Sequence, residues 1–181
     1  MRGFDRGMRE LLEQAGPVAS VLEVGCGEGH VTEKLARFFP HAQVTGTDSS
    51  PEIVEVAKRS HPDLRFEQRS VYDLTRSGEH WDLVVACEVF EHLDDPRGAL
   101  REIAAVAGAM LVTVPREPLW RILNVARGKY LARLGNSHGH VQNWNRGRFL
   151  DLLREQVEVV DWRSPLPWTQ ALCRPRAGSR T

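Results

Sequence analysis

Two glutamates and a histidine stand close together in the stretch Ala86–Asp95, ACEVFEHLDD, directly after an apolar run. If this stretch is helical, Glu88, Glu91 and His92 share one face, because residues at i, i+3 and i+4 are neighbours on a helix. Two carboxylates and an imidazole could bind a divalent metal once a fourth ligand joins them. Without a metal, His92 could act as a general base. The stretch therefore predicts a metal site or an acid–base site.

A later segment, SHGHVQNWNRGRF, supplies two more histidines ahead of a predicted helix. Its loop follows the fifth predicted strand and should return to the edge of the sheet where Ala86–Asp95 lies. Either His138 or His140 could complete a metal site there, and His140 could also serve as a base. From the residues alone, both histidines remain candidates.

Apolar runs alternate with helical periodicities along the chain, which predicts strands alternating with helices. The predicted strands are SVLEVG, AQVTGTD, LRFEQRS, WDLVVACEV, AMLVTVP, VEVVDWRS and WTQALC. Alternation through the first five strands indicates parallel pairing with right-handed crossovers. The short proline-containing link between the last two strands favours antiparallel pairing. We therefore predict an α/β fold with one open, mostly parallel sheet, whose ligand site lies beyond the carboxyl ends of the strands.

A glycine-rich turn follows the first predicted strand, in the sequence EVGCGEG. Glycines permit a tight turn, and the following helix offers its positive N-terminal end to a ligand. Asp48 ends the next strand, where a carboxylate can accept hydrogen bonds from ribose hydroxyls. Together these features predict a nucleoside cofactor. The glycine spacing is G-x-G-x-G rather than the dinucleotide spacing G-x-G-x-x-G, which disfavours a nicotinamide cofactor.

With VLEVGCGEGHV at the first turn and VTGTDSSPE at the second, the chain resembles the class I S-adenosylmethionine-dependent methyltransferases from Ser20 onward. The resemblance implies a single Rossmann-like seven-stranded sheet with its last strand antiparallel and helices on both faces. Many relatives have an acid where Ser70 stands, so the Ser70 hydroxyl and the Val71 backbone are the expected adenine contacts. The cofactor-binding residues it implies are Glu23, Gly25, Cys26, Gly27, Asp48, Ser49, Ser70, Val71 and Cys87.

The E-x-x-E-H cluster, followed much later by H-x-x-x-W, is similar to metal-dependent 2′-O-methyltransferases that act on small-RNA 3′ ends. It is also similar to the O-methyltransferases of ubiquinone synthesis, in which the acidic cluster has been linked to magnesium. This resemblance implies His140 as the fourth ligand of Mg²⁺ or Mn²⁺. The implied metal ligands are Glu88, Glu91, His92 and His140, and the implied catalytic residues are Glu88, His92 and His140.

These patterns predict an enzyme that O-methylates a small-molecule hydroxyl of the diol, catechol or sugar type. A metal would assist by lowering the pKa of the hydroxyl. The alternatives are a 2′-O-methyltransferase of RNA 3′ ends and an NAD(P)-dependent oxidoreductase. The formal net charge is +0, with 24 basic and 24 acidic residues, which disfavours nucleic acid as a partner.

Length and composition set the remaining expectations. A chain of 181 residues predicts one domain, residues 1–181. Residues 115–139 form a predicted basic helical lid, and residues 174–181 a predicted flexible tail. Three widely spaced cysteines favour reduced thiols and a cytoplasmic location. No apolar run approaches the ~20 residues that a transmembrane helix needs.

Overall fold

Seven strands and five α-helices make up the residues that this computed structural model describes, 2–117 and 141–176. The helices are α1 (Arg2–Leu12), α2 (His30–Phe38), α3 (Pro51–Ser60), α4 (Pro96–Val106) and α5 (Arg146–Gln156). The strands are β1 (Ser20–Val24), β2 (Gln43–Asp48), β3 (Arg65–Gln68), β4 (Trp81–Cys87), β5 (Ala107–Pro115), β6 (Val157–Arg163) and β7 (Trp168–Pro175). Two 3₁₀ helices, Val71–Ser77 and Phe90–His92, follow β3 and β4.

All seven strands join one sheet in the order β3-β2-β1-β4-β5-β7-β6. Strands β1 to β5 pair in parallel, as their helical crossovers require. Strand β7 runs antiparallel to both β5 and β6, so it is the one reversed strand. The predicted fold class and the predicted reversal are confirmed. The carboxyl ends of the first five strands therefore meet at one edge of the sheet.

Helices cover both faces of the sheet because its strands alternate their buried side chains between two apolar layers. One layer joins the strands to α4 and α5 through side chains such as Leu22, Val84, Val112, Ile103 and Phe149. The opposite layer joins them to α1 and α2 through Val21, Leu83, Leu111, Leu11 and Leu35. All ten of these side chains are fully buried, which anchors the loops at the carboxyl edge to a rigid sheet.

The start of α3 is determined by a cap that the sequence predicts. Ser50 Oγ accepts a hydrogen bond from the Ile53 N–H at 3.2 Å, and Pro51 occupies the first helical turn. Proline suits this position because its missing N–H would have no partner within the helix. Helix α3 therefore begins three residues after Asp48, which is the last residue of β2.

Two predicted segments lie largely outside the described residues. Of the lid predicted at 115–139, Pro115 ends β5, and residues 118–139 are not described. Strand β7 continues to Pro175, so Arg174 and Pro175 are paired strand residues rather than the start of a flexible tail. The assignment of residues 1–181 to one domain stays a prediction. No helix in the described ranges is long and apolar enough to cross a membrane.

Gly46 tests how closely α2 and β3 pack over β2. A Cβ atom at Gly46 would lie 2.8 Å from ring atoms of Phe66 and 2.8 Å from Thr32 Oγ1. We expect Gly46→Ala to lower the free energy of unfolding by about 1–3 kcal/mol because the buried neighbours must move. Urea unfolding followed by circular dichroism measures this change.

Gly147→Ala is the matched control, since Gly147 is exposed in the first turn of α5 and its nearest neighbour would be 3.4 Å from the added atom. This control should keep or slightly raise the stability, because alanine favours helix over glycine by about 1 kcal/mol. Equal effects of the two substitutions would contradict the tight packing at Gly46.

Candidate active site

A cleft of about 400 Å³ opens at the carboxyl ends of β1, β2, β3 and β4. One wall carries residues that follow β1, β2 and β3, and the opposite wall carries residues that follow β4. A volume of this size suits a small organic ligand. The cleft is lined by Val24, Gly25, Asp48, Ser49, Arg69, Ser70, Val71, Tyr72, Glu88, Val89, His92 and Leu93.

The glycine turn after β1 adopts conformations that only glycine reaches at low cost. The φ angles of Gly25, Gly27 and Gly29 are 68°, 53° and 89°. A Cβ atom at Gly25 would come within 2.6 Å of Val89 Cγ2, so the turn approaches the opposite wall closely. A Cβ atom at Gly27 would have no other atom within 4 Å. The turn therefore presents bare backbone beside the cleft.

Asp48 connects this turn to the start of α3. Its Oδ2 accepts a hydrogen bond from the Gly27 N–H at 3.1 Å, and its Oδ1 accepts one from the Ser50 N–H at 3.0 Å. Each carboxylate oxygen retains a lone pair, so Asp48 can still accept hydrogen bonds from a ligand. Asp48 and Ser49 both line the cleft, as the nucleoside-site prediction requires.

Three predicted cofactor residues have side chains that do not line the cleft. Glu23 is 1% exposed and accepts a hydrogen bond from Thr32 Oγ1 of α2. Cys26 packs against α3 and β3, and the side chain of Cys87 does not line the cleft either. Burial raises the pKa of the Cys26 thiol to about 12 and raises that of Cys87 as well. Their assignment as cofactor-binding residues stays a prediction.

The wall after β4 differs from the predicted helical turn. Glu88 has a φ of 56°, in the left-handed region, and only Phe90–His92 form a single 3₁₀ turn. The prediction that Glu88, Glu91 and His92 share one helical face is therefore wrong, because Glu88 lies outside the turn. As a result Glu88 and His92 line the cleft, whereas Glu91 is 1% exposed and does not.

Glu88 is half-buried and hydrogen-bonded at both its backbone and its side chain. Its N–H donates to Thr113 O at 3.1 Å, and its Oε1 accepts a hydrogen bond from the indole N–H of Trp168. Burial raises the pKa of Glu88, while the Trp168 hydrogen bond and the charge of His92 oppose that rise. Glu88 and His92 thus interact electrostatically inside the cleft.

Glu91 connects the same wall to the chain that enters α5. Its carbonyl oxygen accepts hydrogen bonds from the N–H groups of Val141 and Gln142, at 2.8 and 2.9 Å. Burial raises the pKa of the Glu91 carboxyl to about 8, and the charge of Glu88 contributes to the rise. One oxygen of this carboxyl, Oε2, is buried without a hydrogen-bond partner.

The predicted metal ligands are only partly described. His138 and His140 lie outside the described residues. Within residues 2–117 and 141–176, no group of three or more His, Cys, Asp or Glu side chains is arranged to hold a metal ion. The four-ligand site of Glu88, Glu91, His92 and His140 stays a hypothesis.

Sequence reasoning missed five residues that line the cleft. They are Val24, Arg69, Tyr72, Val89 and Leu93. Tyr72 directly follows the predicted pair Ser70 and Val71, and its hydroxyl accepts a hydrogen bond from the Asp95 N–H at 3.2 Å. The position of Tyr72 next to that pair was the one signal in the sequence that could have identified it as a cleft residue. The contact of Val89 with Gly25 joins two turns that no local pattern relates.

Comparison with known proteins agrees with this fold. A family model described as a methyltransferase domain matches residues 21–108. The ubiquinone biosynthesis O-methyltransferase of Xanthomonas axonopodis pv. citri is 34% identical, over 94% of this chain and 74% of that protein. The protein of the same name from Xanthomonas campestris pv. campestris is 33% identical, over 91% of this chain and 73% of its own.

Two solved structures share the fold at lower identity. The N-methyltransferase NodS from Bradyrhizobium japonicum superposes with a TM-score of 0.68 at 22% identity, covering 96% of this chain and 97% of that chain. The plantazolicin methyltransferase BpumL, solved with S-adenosylhomocysteine, gives a TM-score of 0.71 at 15% identity, covering 97% and 88%.

The chain belongs to the class I S-adenosylmethionine-dependent methyltransferases. It is therefore a methyltransferase that uses S-adenosylmethionine, and the nicotinamide alternative is set aside. The described residues fit this cofactor: the open direction at Gly27 leaves room beside the turn, and Asp48 offers acceptors for hydroxyl groups.

Asp48→Asn tests the cofactor side of the cleft. We expect this substitution to weaken binding of S-adenosylhomocysteine about tenfold or more, because an amide replaces one acceptor oxygen with a donor. Isothermal titration calorimetry measures the affinity, with Asp63→Asn as a control at an exposed residue outside the cleft. Unchanged affinity in Asp48→Asn would contradict the predicted ribose contact.

Glu23 generates a prediction about pH. Burial raises its pKa from 4.5 to about 8, so the folded protein keeps a proton that the unfolded chain releases. The free energy of unfolding should therefore fall as the pH rises from about 5 to about 8. Glu23→Gln, which is uncharged in both states, should lose less stability across this range than the wild type does.

Urea unfolding at several pH values from 5 to 8 measures the slope, and Glu13→Gln at an exposed residue of the α1 C-terminal turn is the control. Part of the slope should remain in Glu23→Gln, because burial shifts the pKa of Glu91 in the same direction. Identical slopes for wild type and Glu23→Gln would contradict the buried neutral carboxyl.

Proposed function

We propose that this methyltransferase transfers its methyl group to a hydroxyl of a small molecule of the catechol, diol or sugar type. The observation that carries the proposal is that Glu88 and His92 line the same cleft and interact electrostatically. The names of the relatives at 33–34% identity, which are O-methyltransferases, support the same acceptor chemistry.

The glycine turn and Asp48 would hold the cofactor on one wall. The backbone of Gly25 and Gly27 would face its methionine portion, Asp48 would accept hydrogen bonds from the ribose, and Ser70 with the Val71 backbone would contact the adenine. S-adenosylmethionine supplies a methyl group that is already activated as a sulfonium. The protein must therefore chiefly orient the acceptor and remove its proton.

His92 and Glu88 would perform the proton transfer on the opposite wall. His92 is exposed at the cleft and would accept the proton of the acceptor hydroxyl as a general base. The half-buried carboxylate of Glu88 would stabilise the resulting imidazolium, because opposite charges favour each other's ionised forms. Glu91 would support this wall through its backbone contacts with residues 141 and 142.

His92→Asn tests the base. We expect it to lower kcat about 10²–10⁴-fold, the usual contribution of general acid–base catalysis, while binding of S-adenosylhomocysteine stays within a factor of about three. Methyl transfer from radiolabelled S-adenosylmethionine to catechol, a vicinal diol, a sugar and an RNA 3′ end measures both activity and acceptor class. His80→Asn is the control, since His80 is exposed and precedes the amino end of β4.

The same assay, run on protein stripped with EDTA, separates the base from the metal hypothesis. Activity that persists without added Mg²⁺ or Mn²⁺ supports His92 as the base. Activity that requires the metal, and that His140→Ala or Glu91→Gln abolishes, supports the four-ligand metal site instead. Transfer to the RNA 3′ end with no transfer to any small hydroxyl would overturn the proposed acceptor class.

A further inference from the structure

Trp168 reaches the reaction side of the cleft from the far end of the sequence. It is the first residue of β7, and the antiparallel register with β5 places it opposite Pro115 at the carboxyl edge of the sheet. Its indole N–H donates a hydrogen bond to Glu88 Oε1. The two residues are 80 positions apart, so only the reversed direction of β7 brings them together.

The orientation of the Trp168 ring is itself fixed by α1. The rings of Phe4 and Trp168 pack edge to face, with centroids 5.2 Å apart and an interplanar angle of 66°. Gln170, two residues further along β7, donates a hydrogen bond from Nε2 to the carbonyl oxygen of Phe4 at 3.1 Å. Helix α1 therefore packs against the indole ring of Trp168, and the indole N–H donates its hydrogen bond to Glu88.

The backbone conformation of Glu88 is energetically strained. A residue with a side chain at φ 56° is strained by about 1–3 kcal/mol, and such residues cluster at functional sites. Thr113 accepts a hydrogen bond from the backbone N–H of Glu88, and Trp168 donates one to the Glu88 carboxylate. Simple burial of a carboxyl group does not explain this arrangement, because Glu88 is half-buried and faces the cleft.

An indole suits this task better than a basic side chain would. The Trp168 N–H is a neutral donor that does not accept hydrogen bonds. It can orient a carboxylate without neutralising its negative charge. A lysine or arginine in the same place would form an ion pair with Glu88 and offset that charge.

We propose that Trp168 is a positioning residue that holds the Glu88 carboxylate on the wall of the cleft that follows β4 and so promotes the acceptor step of methyl transfer. The inference rests on the proposed function, since it assigns the effect of Trp168 to a carboxylate on the acceptor side of the cleft. It predicts that Trp168 influences catalysis only through Glu88 and leaves the affinity for the cofactor unchanged.

A double-mutant cycle tests this dependence. We expect Trp168→Phe, which keeps an aromatic ring against Phe4, to lower kcat about tenfold, as the loss of a hydrogen bond to a charged group implies. In the Glu88→Gln background the same substitution should have little further effect, because the charge it positions is gone. Affinity for S-adenosylhomocysteine should stay within a factor of about three in every variant.

Trp162→Phe is the matched control for the cycle. Trp162 lies on β6, where its ring packs against the guanidinium of Arg146 rather than against the cleft. This control should keep wild-type kcat in both backgrounds. Equal losses from Trp168→Phe in both backgrounds, or a loss that appears as weaker S-adenosylhomocysteine binding, would overturn the proposal.

A spectroscopic measurement tests the contact without any acceptor. The chain contains five tryptophans, whose indole N–H signals are observable after ¹⁵N labelling. The signal of Trp168 is identified by its loss in Trp168→Phe or, if that variant does not fold, by its displacement in Phe4→Leu. It should move upfield in Glu88→Asp, because the shorter side chain withdraws the acceptor while aspartate tolerates the left-handed backbone.

An unmoved Trp168 signal in folded Glu88→Asp would overturn the hydrogen bond and with it the proposal. The failure of the proposed function is distinguishable: a wild-type enzyme that methylates none of the hydroxyl acceptors refutes that function. An active wild type whose Trp168→Phe and Glu88→Gln losses are additive refutes only the role of Trp168.

Discussion

The carboxylate of Asp48 is the contact on which the cofactor wall depends. It accepts one hydrogen bond from Gly27 in the turn after β1 and another from Ser50 at the start of α3, so two loops share one anchor. The Cys26 N–H continues the pairing by donating to Thr47 O at 2.9 Å. The left-handed glycines allow the turn to reach these partners. Because β1 and β2 are adjacent and parallel, both loops emerge at the same edge.

The opposite wall depends on three strands that end or begin at that edge. The turn after β4 supplies Glu88, β5 supplies Thr113, and the reversed strand β7 supplies Trp168. The residues that enter α5 join this wall through the carbonyl oxygen of Glu91. Each wall is thus assembled from neighbouring strands, which explains how two loops without regular structure can keep a defined cleft between them.

The sequence predicted the sheet well because strand–helix alternation and the Ser50–Pro51 cap are local signals. Gly25, Asp48, Ser49, Ser70 and Val71, which the sequence predicted as cofactor-binding residues, line the cleft because each ends a strand or lies within three residues of its end. Their role in binding the cofactor stays a prediction. The sequence failed at Glu88, because helical spacing assumes regular backbone angles and a φ of 56° breaks that assumption. The sequence could not predict the contact between Trp168 and Glu88 for a different reason. No local pattern encodes a pairing across 80 residues.

The charges that remain at the cleft favour a cationic ligand. Arg69 lines the cleft, but its guanidinium forms ion pairs with Glu67 and Glu79, both at 2.7 Å, so its charge is compensated. The carboxyl groups that line the cleft, Asp48 and Glu88, have no ion pair with lysine or arginine among the described residues. These carboxylates suit the positively charged sulfonium of S-adenosylmethionine, because opposite charges attract.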